Sequence, residues 1–277
     1  MKERVDMNAA ALFNVSGLAT VVTGGASGLG LAYTSVMAQN GARVTIMDAN
    51  AKALDEVVER FRSVGQDVRG EVVDVTDRMA LDRSFDATAR HYGRLDVVFA
   101  NAGIGGGPGF LKLDGERNPD RALENIPGDL WDRVIAVDLT SVFATLQAAA
   151  RHMKGHGGRI IVTTSISAIR TETLVAAPYV AAKAGAAQLV RQAALELARY
   201  NITVNAIAPG PFVTNISGGR LKDPAVRAPF ERFSPIRRVG EPDDIKGLAL
   251  FLASPAAELI TGAQIVIDGG VTLGMAD

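Results

Sequence analysis

The sequence predicts a doubly wound α/β fold, a single sheet of about seven parallel strands with helices on both faces. Three observations predict it. Short β-branched runs alternate with longer stretches of helical periodicity along the whole chain. The runs are apolar throughout rather than alternating, as strands covered on both faces are. Each pair of runs is joined through a segment of a dozen or more residues, which makes the strands parallel, and right-handed crossovers then place helices on either side.

The elements follow in order. Leu18 to Thr23 reads as the first strand, then a Gly-rich turn and a helix to about Asn40, closed by Gly41. Arg43 to Met47 is a strand and Ala51 to Val64 a helix. Asp67 to Val73 is a third strand, Asp77 to His91 a helix, and Leu95 to Phe99 a fourth strand. A helix from Trp131 to Met153 leads to a fifth strand, Arg159 to Thr164. The helix Pro178 to Tyr200 precedes a sixth strand, Thr203 to Ile207, and a helix from Pro242 to Ala253 precedes a seventh, Gln264 to Ile267. Two irregular segments interrupt this rhythm, 104–128 and 211–241, both longer than ordinary connections and of the kind that forms lids or binding loops. No linker divides the chain, so one domain over 1–277 is expected, with its core at about 18–270.

The composition excludes several functions. The chain has 277 residues, with 29 Lys+Arg against 30 Asp+Glu, and offers no basic footprint for nucleic acid. Hydrophobic residues make up 48%, enough for a large core and too many for a disordered chain. Zero cysteines exclude disulfides, thiolate catalysis and Cys-bound zinc, and fit a reducing compartment. Met1 to Asp6 mixes charges, unlike a signal peptide, and no run is expected to reach the length of a membrane span. A cytoplasmic protein without a membrane partner is expected.

The first strand runs into Thr23-Gly24-Gly25-Ala26-Ser27-Gly28-Leu29-Gly30. Glycines between a strand and a helix let the backbone approach a pyrophosphate, whose charge then faces free N–H groups at the helix N-terminus. The spacing is not the G-x-G-x-x-G of the general dinucleotide fingerprint, and a tight turn that needs glycine for its backbone angles is the alternative. Asp48 ends the second strand, where a carboxylate accepts both ribose hydroxyls of adenosine and repels a 2′-phosphate. Ala49 and Asn50 follow, with no cation to attract that phosphate, so NAD is expected rather than NADP. Capping of the next helix is the alternative role for Asp48. Asp74-Val75 ends the third strand and Asn101-Ala102-Gly103 the fourth. All of these lie at carboxyl ends of strands, where open α/β sheets bind ligands.

Tyr179 and Lys183 stand at i and i+4 of one helix, stacked on one face. A phenol titrating near pH ~10 is a poor base at neutral pH, and an adjacent ammonium is expected to lower that value. With Thr23 to Gly30, Asp74, Asn101 to Gly103, Tyr179-x-x-x-Lys183 and Pro209-Gly210 in this order, the chain resembles the short-chain dehydrogenase/reductase family from about Leu18 to Gly270. The resemblance implies a Rossmann-type homotetramer or dimer that transfers hydride between a nicotinamide and a small-molecule alcohol or carbonyl carbon. It implies Tyr179 as general acid/base and Lys183 as ribose ligand and modulator of Tyr179. Asn101 to Gly103 would border the cofactor, the backbone after Pro209-Gly210 would approach the nicotinamide, and Val213 and Thr214 would lie near its carboxamide.

Two positions depart from the family pattern. A serine usually stands 13 residues before the tyrosine, and here that residue is Ile166, flanked by Ser165 and Ser167. Strand alternation turns both flanking hydroxyls away from the expected face, and a shift at the strand end would bring one in. Ser167 is slightly favoured because it lies further into the loop, with Thr164 a weaker substitute. The second departure is Asp138, where the family usually has Asn linking the lysine to a water relay. A relay through the backbone carbonyl tolerates Asp; one through the side-chain amide does not. These departures keep a non-catalytic cofactor-binding scaffold open as a rival, and a 3-oxoacyl-thioester reductase is a second, enzymic rival. His91, His152 and His156 lack the spacing of a metal site, and Arg170 with Glu172 reads as a solvated ion pair.

Overall fold

The computed structural model describes residues 8–274 of the chain. The N-terminal charge pattern of Met1 to Asp6 therefore lies outside the described residues. Seven parallel strands form one sheet: β1 (Ala19–Thr23), β2 (Arg43–Asp48), β3 (Val68–Val72), β4 (Val97–Ala100), β5 (Gly158–Thr163), β6 (Ile202–Pro209) and β7 (Gln264–Ile267). They lie in the order β3-β2-β1-β4-β5-β6-β7. Chain order thus reverses between β1 and β4, and the crevice at their carboxyl ends is where such sheets bind ligands.

After α1 (Ala9–Leu12), the longer helices are α2 (Gly28–Gln39), α3 (Ala51–Ser63), α4 (Arg78–Tyr92), α5 (Gly128–Ile135), α6 (Ser141–Met153), α7 (Ala177–Leu197), α8 (Pro224–Phe233) and α9 (Lys246–Ala253). Their starts follow local chemistry. Asn50 caps α3 by accepting the Ala53 N–H at 3.1 Å, and Asp77 caps α4 by accepting that of Ala80 at 3.0 Å. Gly93 ends α4 in the left-handed conformation. On one face of the sheet a core of Val22, Tyr33, Ile46 and Phe99 is covered by α2, α3 and α9. On the other, Val21, Phe85, Val98 and Ile160 are covered by α4, α6 and α7.

Three sequence expectations need correction. Strand β3 is not apolar throughout: it lies at the sheet edge and carries Arg69 and Glu71, paired with each other. Edge strands are managed with such charges. The 211–241 connection contains a helix, α8, whose capping Asp223 and first-turn Pro224 supply a start signal that the surrounding charges obscured. The run Gly128–Met153 has the length and apolarity of a membrane span, with a mean hydropathy of 1.3 over its best window. Half of that window is buried inside the protein, so the run serves as a core helix here.

That run is also not one regular helix. Residues Ala136–Thr140, between α5 and α6, form a π-helical turn that holds the fully buried Asp138. Such turns insert an extra residue into the helix and re-aim the side chains beside them.

Candidate active site

The Gly-rich turn connects β1 to α2. Gly30 packs so tightly that a Cβ there would lie 2.0 Å from the Gly24 carbonyl oxygen and 2.6 Å from Asn101 Nδ2. Asn101 closes the same corner by donating from Nδ2 to the carbonyls of Thr23 at 3.1 Å and Gly24 at 3.2 Å. Ser27, the N-cap of α2, spends no side-chain hydrogen bond on capping. Its hydroxyl and the first N–H groups of the helix are left for an anion. The turn's glycines therefore serve both readings, tight packing behind and an open anion cradle in front.

Asp48 supports this turn directly. Its Oδ2 accepts the Ala26 N–H at 3.0 Å and its Oδ1 accepts that of Asn50 at 2.9 Å. The helix-capping role falls to Asn50 instead. Asp74 is held by the Thr76 N–H at 2.9 Å and hydroxyl at 2.7 Å, which keep its carboxyl below the usual carboxylate range.

All but one of the residues expected to bind a cofactor line a single cleft of about 890 Å³ at the carboxyl ends of the strands, from Gly24, Gly28 and Leu29 through Val75, Ala102 and Gly103 to Pro209, Gly210 and Thr214. The exception is Val213. Its N–H donates to the Gly240 carbonyl at 2.8 Å, and its side chain lines a separate surface groove. The basic side chains lining the main cleft are Arg133 and Lys183, and neither stands on the loop that carries Asp48.

Tyr179, in the first turn of α7, and Lys183, one turn on, face this cleft together with Ser165. Lys183 is almost fully buried; its Nζ donates to the Thr163 carbonyl at 3.1 Å and lies 5.6 Å from the centre of the Tyr179 ring. Thr163 is a residue that sequence reasoning missed. It ends β5, and its hydroxyl lies 3.1 Å from Asn101 Oδ1 and 3.2 Å from the Tyr33 hydroxyl. A polar residue closing an apolar strand next to the site was its only signal.

The serine offset resolves differently from the slight preference for Ser167. Strand β5 ends at Thr163, and Ser165 becomes the N-cap of a one-turn 3-10 helix, Ile166–Ala168, its Oγ accepting the Ser167 N–H at 3.1 Å. Thr163 and Ser165 thus share the cleft face, while Thr164 turns away and donates to the Ile207 carbonyl at 3.0 Å. Ser165 lines the cleft with the Tyr179 phenol, close enough for its hydroxyl to favour the phenolate. Ser167 stands behind it, its Oγ 3.2 Å from that of Ser165. Counting back from Tyr179 does not reveal this, because β5 ends at Thr163 and a 3-10 turn and a loop intervene before α7.

The Lys183 ammonium does pull the Tyr179 phenol down, as expected, but it does not act alone. Burial pushes the phenol above its ordinary value; the Lys183 ammonium and the Ser165 hydroxyl pull it down, while the Asp138 carboxylate pushes it up. Desolvation is the largest of these effects, so the net direction is upward in the protein alone. Asp138 itself is pushed upward by burial, against the pull of Lys183 and the Ile104 N–H. Its Oδ1 accepts that N–H at 2.7 Å, and its Oδ2 is buried without a hydrogen-bond partner. Gly103 lies between the two charges: a Cβ there would sit 3.1 Å from Asp138 Oδ1 and 3.3 Å from Lys183 Nζ.

Comparison with known proteins bears on what this arrangement is. The family model described as enoyl-(acyl carrier protein) reductase matches residues 7–272. The cis-4-hydroxycyclohexanecarboxylate dehydrogenase of Sinomonas cyclohexanicum is 37% identical over 252 residues, covering 91% of this chain and 95% of the relative. The chain belongs to the short-chain dehydrogenase/reductase family. Two solved structures of such dehydrogenases share its fold. A 7α-hydroxysteroid dehydrogenase complexed with NADH and 7-oxo glycochenodeoxycholic acid superposes with a TM-score of 0.85 at 30% identity, over 98% of this chain and 99% of the other. A gluconate 5-dehydrogenase from Burkholderia cenocepacia in complex with NADP and tartrate gives a TM-score of 0.85 at 30% identity, over 96% and 99%. As a short-chain dehydrogenase/reductase, the chain is an oxidoreductase of alcohol and ketone substrates.

A second cavity of about 440 Å³ adjoins the cleft and shares Ser165 and Tyr179 with it. Its walls come from the 104–128 segment, the loop after Ser167 and the 211–241 segment. These are interlocked: the Leu111 N–H donates to the Thr173 carbonyl at 3.1 Å, and Gly105 leaves no room for a Cβ beside Ser217 Oγ.

Proposed function

We propose that the chain is an NAD-dependent dehydrogenase of secondary alcohols, with Tyr179 as the general acid/base. The observation that carries the reading is that Ser165, Tyr179 and Lys183 converge where the nucleotide cleft meets the apolar cavity. The cleft suits a dinucleotide: the uncommitted Ser27 hydroxyl and the α2 N-terminus fit a pyrophosphate, and the Asp48 carboxylate fits an unphosphorylated ribose. Bound there, the oxidised nicotinamide supplies a hydride acceptor and a positive charge near Tyr179.

In the oxidising direction Ser165 and Tyr179 hold the substrate oxygen. The Tyr179 phenolate takes the hydroxyl proton as the carbonyl forms, and in reduction the phenol returns it. Lys183, fixed by the Thr163 carbonyl, stabilises the phenolate. The serine offset argued for a non-catalytic scaffold; Ser165 facing Tyr179 argues for catalysis. The zero-cysteine composition supports a cytoplasmic setting, and family likeness supports a homodimer or homotetramer, which sedimentation would establish.

The test is Tyr179→Phe. Turnover of secondary alcohols, followed by absorbance of the reduced cofactor, is expected to fall by about a thousandfold, with NAD still bound in a calorimetric titration. Undiminished turnover in this variant refutes the proposal.

A further inference from the structure

The cavity beside Tyr179 is lined mainly by apolar side chains, among them Leu111, Leu174, Val175, Phe212, Phe230 and Phe233. Four charged side chains also line it, Lys112, Arg170, Glu172 and Arg220, and all but Arg220 are already engaged. Lys112 is paired with Glu116 at 3.0 Å. Arg170 is bound by Glu172 at 3.0 Å and by the Val271 carbonyl at 2.7 Å. The remaining one is Arg220, at the end of the stretch Ser217-Gly218-Gly219, whose three residues all adopt positive φ. Its guanidinium is half-buried, stacks 5.8 Å from the Phe230 ring, and has no carboxylate or carbonyl partner among the described residues. Burial weakens its hold on the proton with no acid acting against this.

A half-buried cation without a counter-ion beside an apolar cavity is only partly hydrated, and a bound anion would complete it. Guanidinium offers a planar fork that matches a carboxylate with two parallel hydrogen bonds. One free cation, with the others neutralised, fits a single negative charge better than a phosphate dianion. We propose that Arg220 recognises a carboxylate on an otherwise apolar substrate, so that the chain acts on hydroxy acids or oxo acids whose reacting carbon is separated from the carboxylate by an apolar body. The proposal rests on the oxidoreductase reading above, since it assumes that Tyr179 marks the reacting end of this cavity.

A binding experiment separates the two. Cyclohexanecarboxylate and the isosteric neutral cyclohexanecarboxamide, neither of which can be oxidised as an alcohol, are titrated calorimetrically into the NAD-loaded wild type and into Arg220→Gln, Arg220→Lys and Tyr179→Phe. The carboxylate is expected to bind the wild type and Tyr179→Phe, and to lose about tenfold or more in affinity in Arg220→Gln. Arg220→Lys recovers part of the loss, and the carboxamide binds all variants equally weakly. Equal binding of the two compounds by the wild type, an equal loss for both in Arg220→Gln, or no binding of the carboxylate overturns the proposal. Melting temperatures of the variants distinguish loss of the Phe230 contact from loss of recognition. Carboxylate binding that persists in a protein inactive on every secondary alcohol leaves the recognition intact and defeats only the catalytic reading.

Discussion

The Ile104 N–H donates to Asp138 Oδ1 at 2.7 Å, tying the start of the 104–128 segment to the π-helical turn behind Lys183. One carboxylate therefore fixes Ile104 in the wall of the cleft and sets part of the electrostatic environment of Tyr179. Its charge opposes ionisation of the phenol, and its own ionisation is opposed by burial.

Asp138→Asn is expected to keep the Ile104 bond through the amide oxygen and remove the charge. Without that negative charge the Tyr179 phenolate is easier to form, so the acid limb of kcat/KM for alcohol oxidation moves to lower pH. A profile that stays in place or moves to higher pH counts against the coupling. Stability responds in a defined sense too. A carboxyl whose folded value is raised above 3.8 costs stability as pH rises from the unfolded value through the folded one. Asp138→Asn removes this cost, so its melting temperature is expected to gain on the wild type at neutral pH and the gap to close in acid. Asp138→Leu, which orphans the Ile104 N–H, is expected to lose about 1–3 kcal/mol.

The two serines are expected to separate sharply. Ser165→Ala removes the hydroxyl that faces Tyr179 and should lower kcat by about a hundredfold, the scale of one donor to the reacting oxygen. Ser167→Ala leaves that hydroxyl in place and should cost only a few-fold. Steady-state kinetics on one alcohol decide this, and comparable losses in both variants would return the role to Ser167.

Asp48→Ala is expected to lose about tenfold or more in affinity for NAD, the size of a charge-assisted hydrogen bond, and to bind NADP better than the wild type does. Parallel titrations with both cofactors measure the ratio. An unchanged ratio would limit Asp48 to its bonds with Ala26 and Asn50.

Gly30→Ala forces a methyl group to within 2.0 Å of backbone, and either the turn moves or the chain fails to fold. The expected cost is at least about 1–3 kcal/mol, with NAD affinity lost along with it. Gly155→Ala, where a Cβ meets nothing within 4 Å, is the matched control and is expected to melt like the wild type.

Much of the fold was legible because its signals are local. The apolar runs of β1 and β4, the glycines of 24–30 and the caps Asn50 and Asp77 each act within a few residues of themselves. The nucleotide cleft was legible for the same reason, since every strand that feeds it ends in a recognisable turn. Where the carrying signal was non-local, the reading slipped. Strand β3 carries charges because it lies at the edge, and α8 was masked by a segment rich in Gly, Pro and charge.

The sequence by itself determined that Tyr179 and Lys183 share one face of a helix, because a spacing of four residues stacks them whatever surrounds them. It also determined the parallel sheet, since buried strands joined through helices have no other arrangement. Only the tertiary structure decided that Ser165 rather than Ser167 lines the nucleotide cleft with Tyr179, that burial acts on the phenol against the ammonium, and that Arg220 stands without a counter-ion among the described residues of the second cavity. These depend on where the strand stops and on which distant chain segments exclude water from the site. Such distances through space are fixed by packing, and no count along the chain contains them.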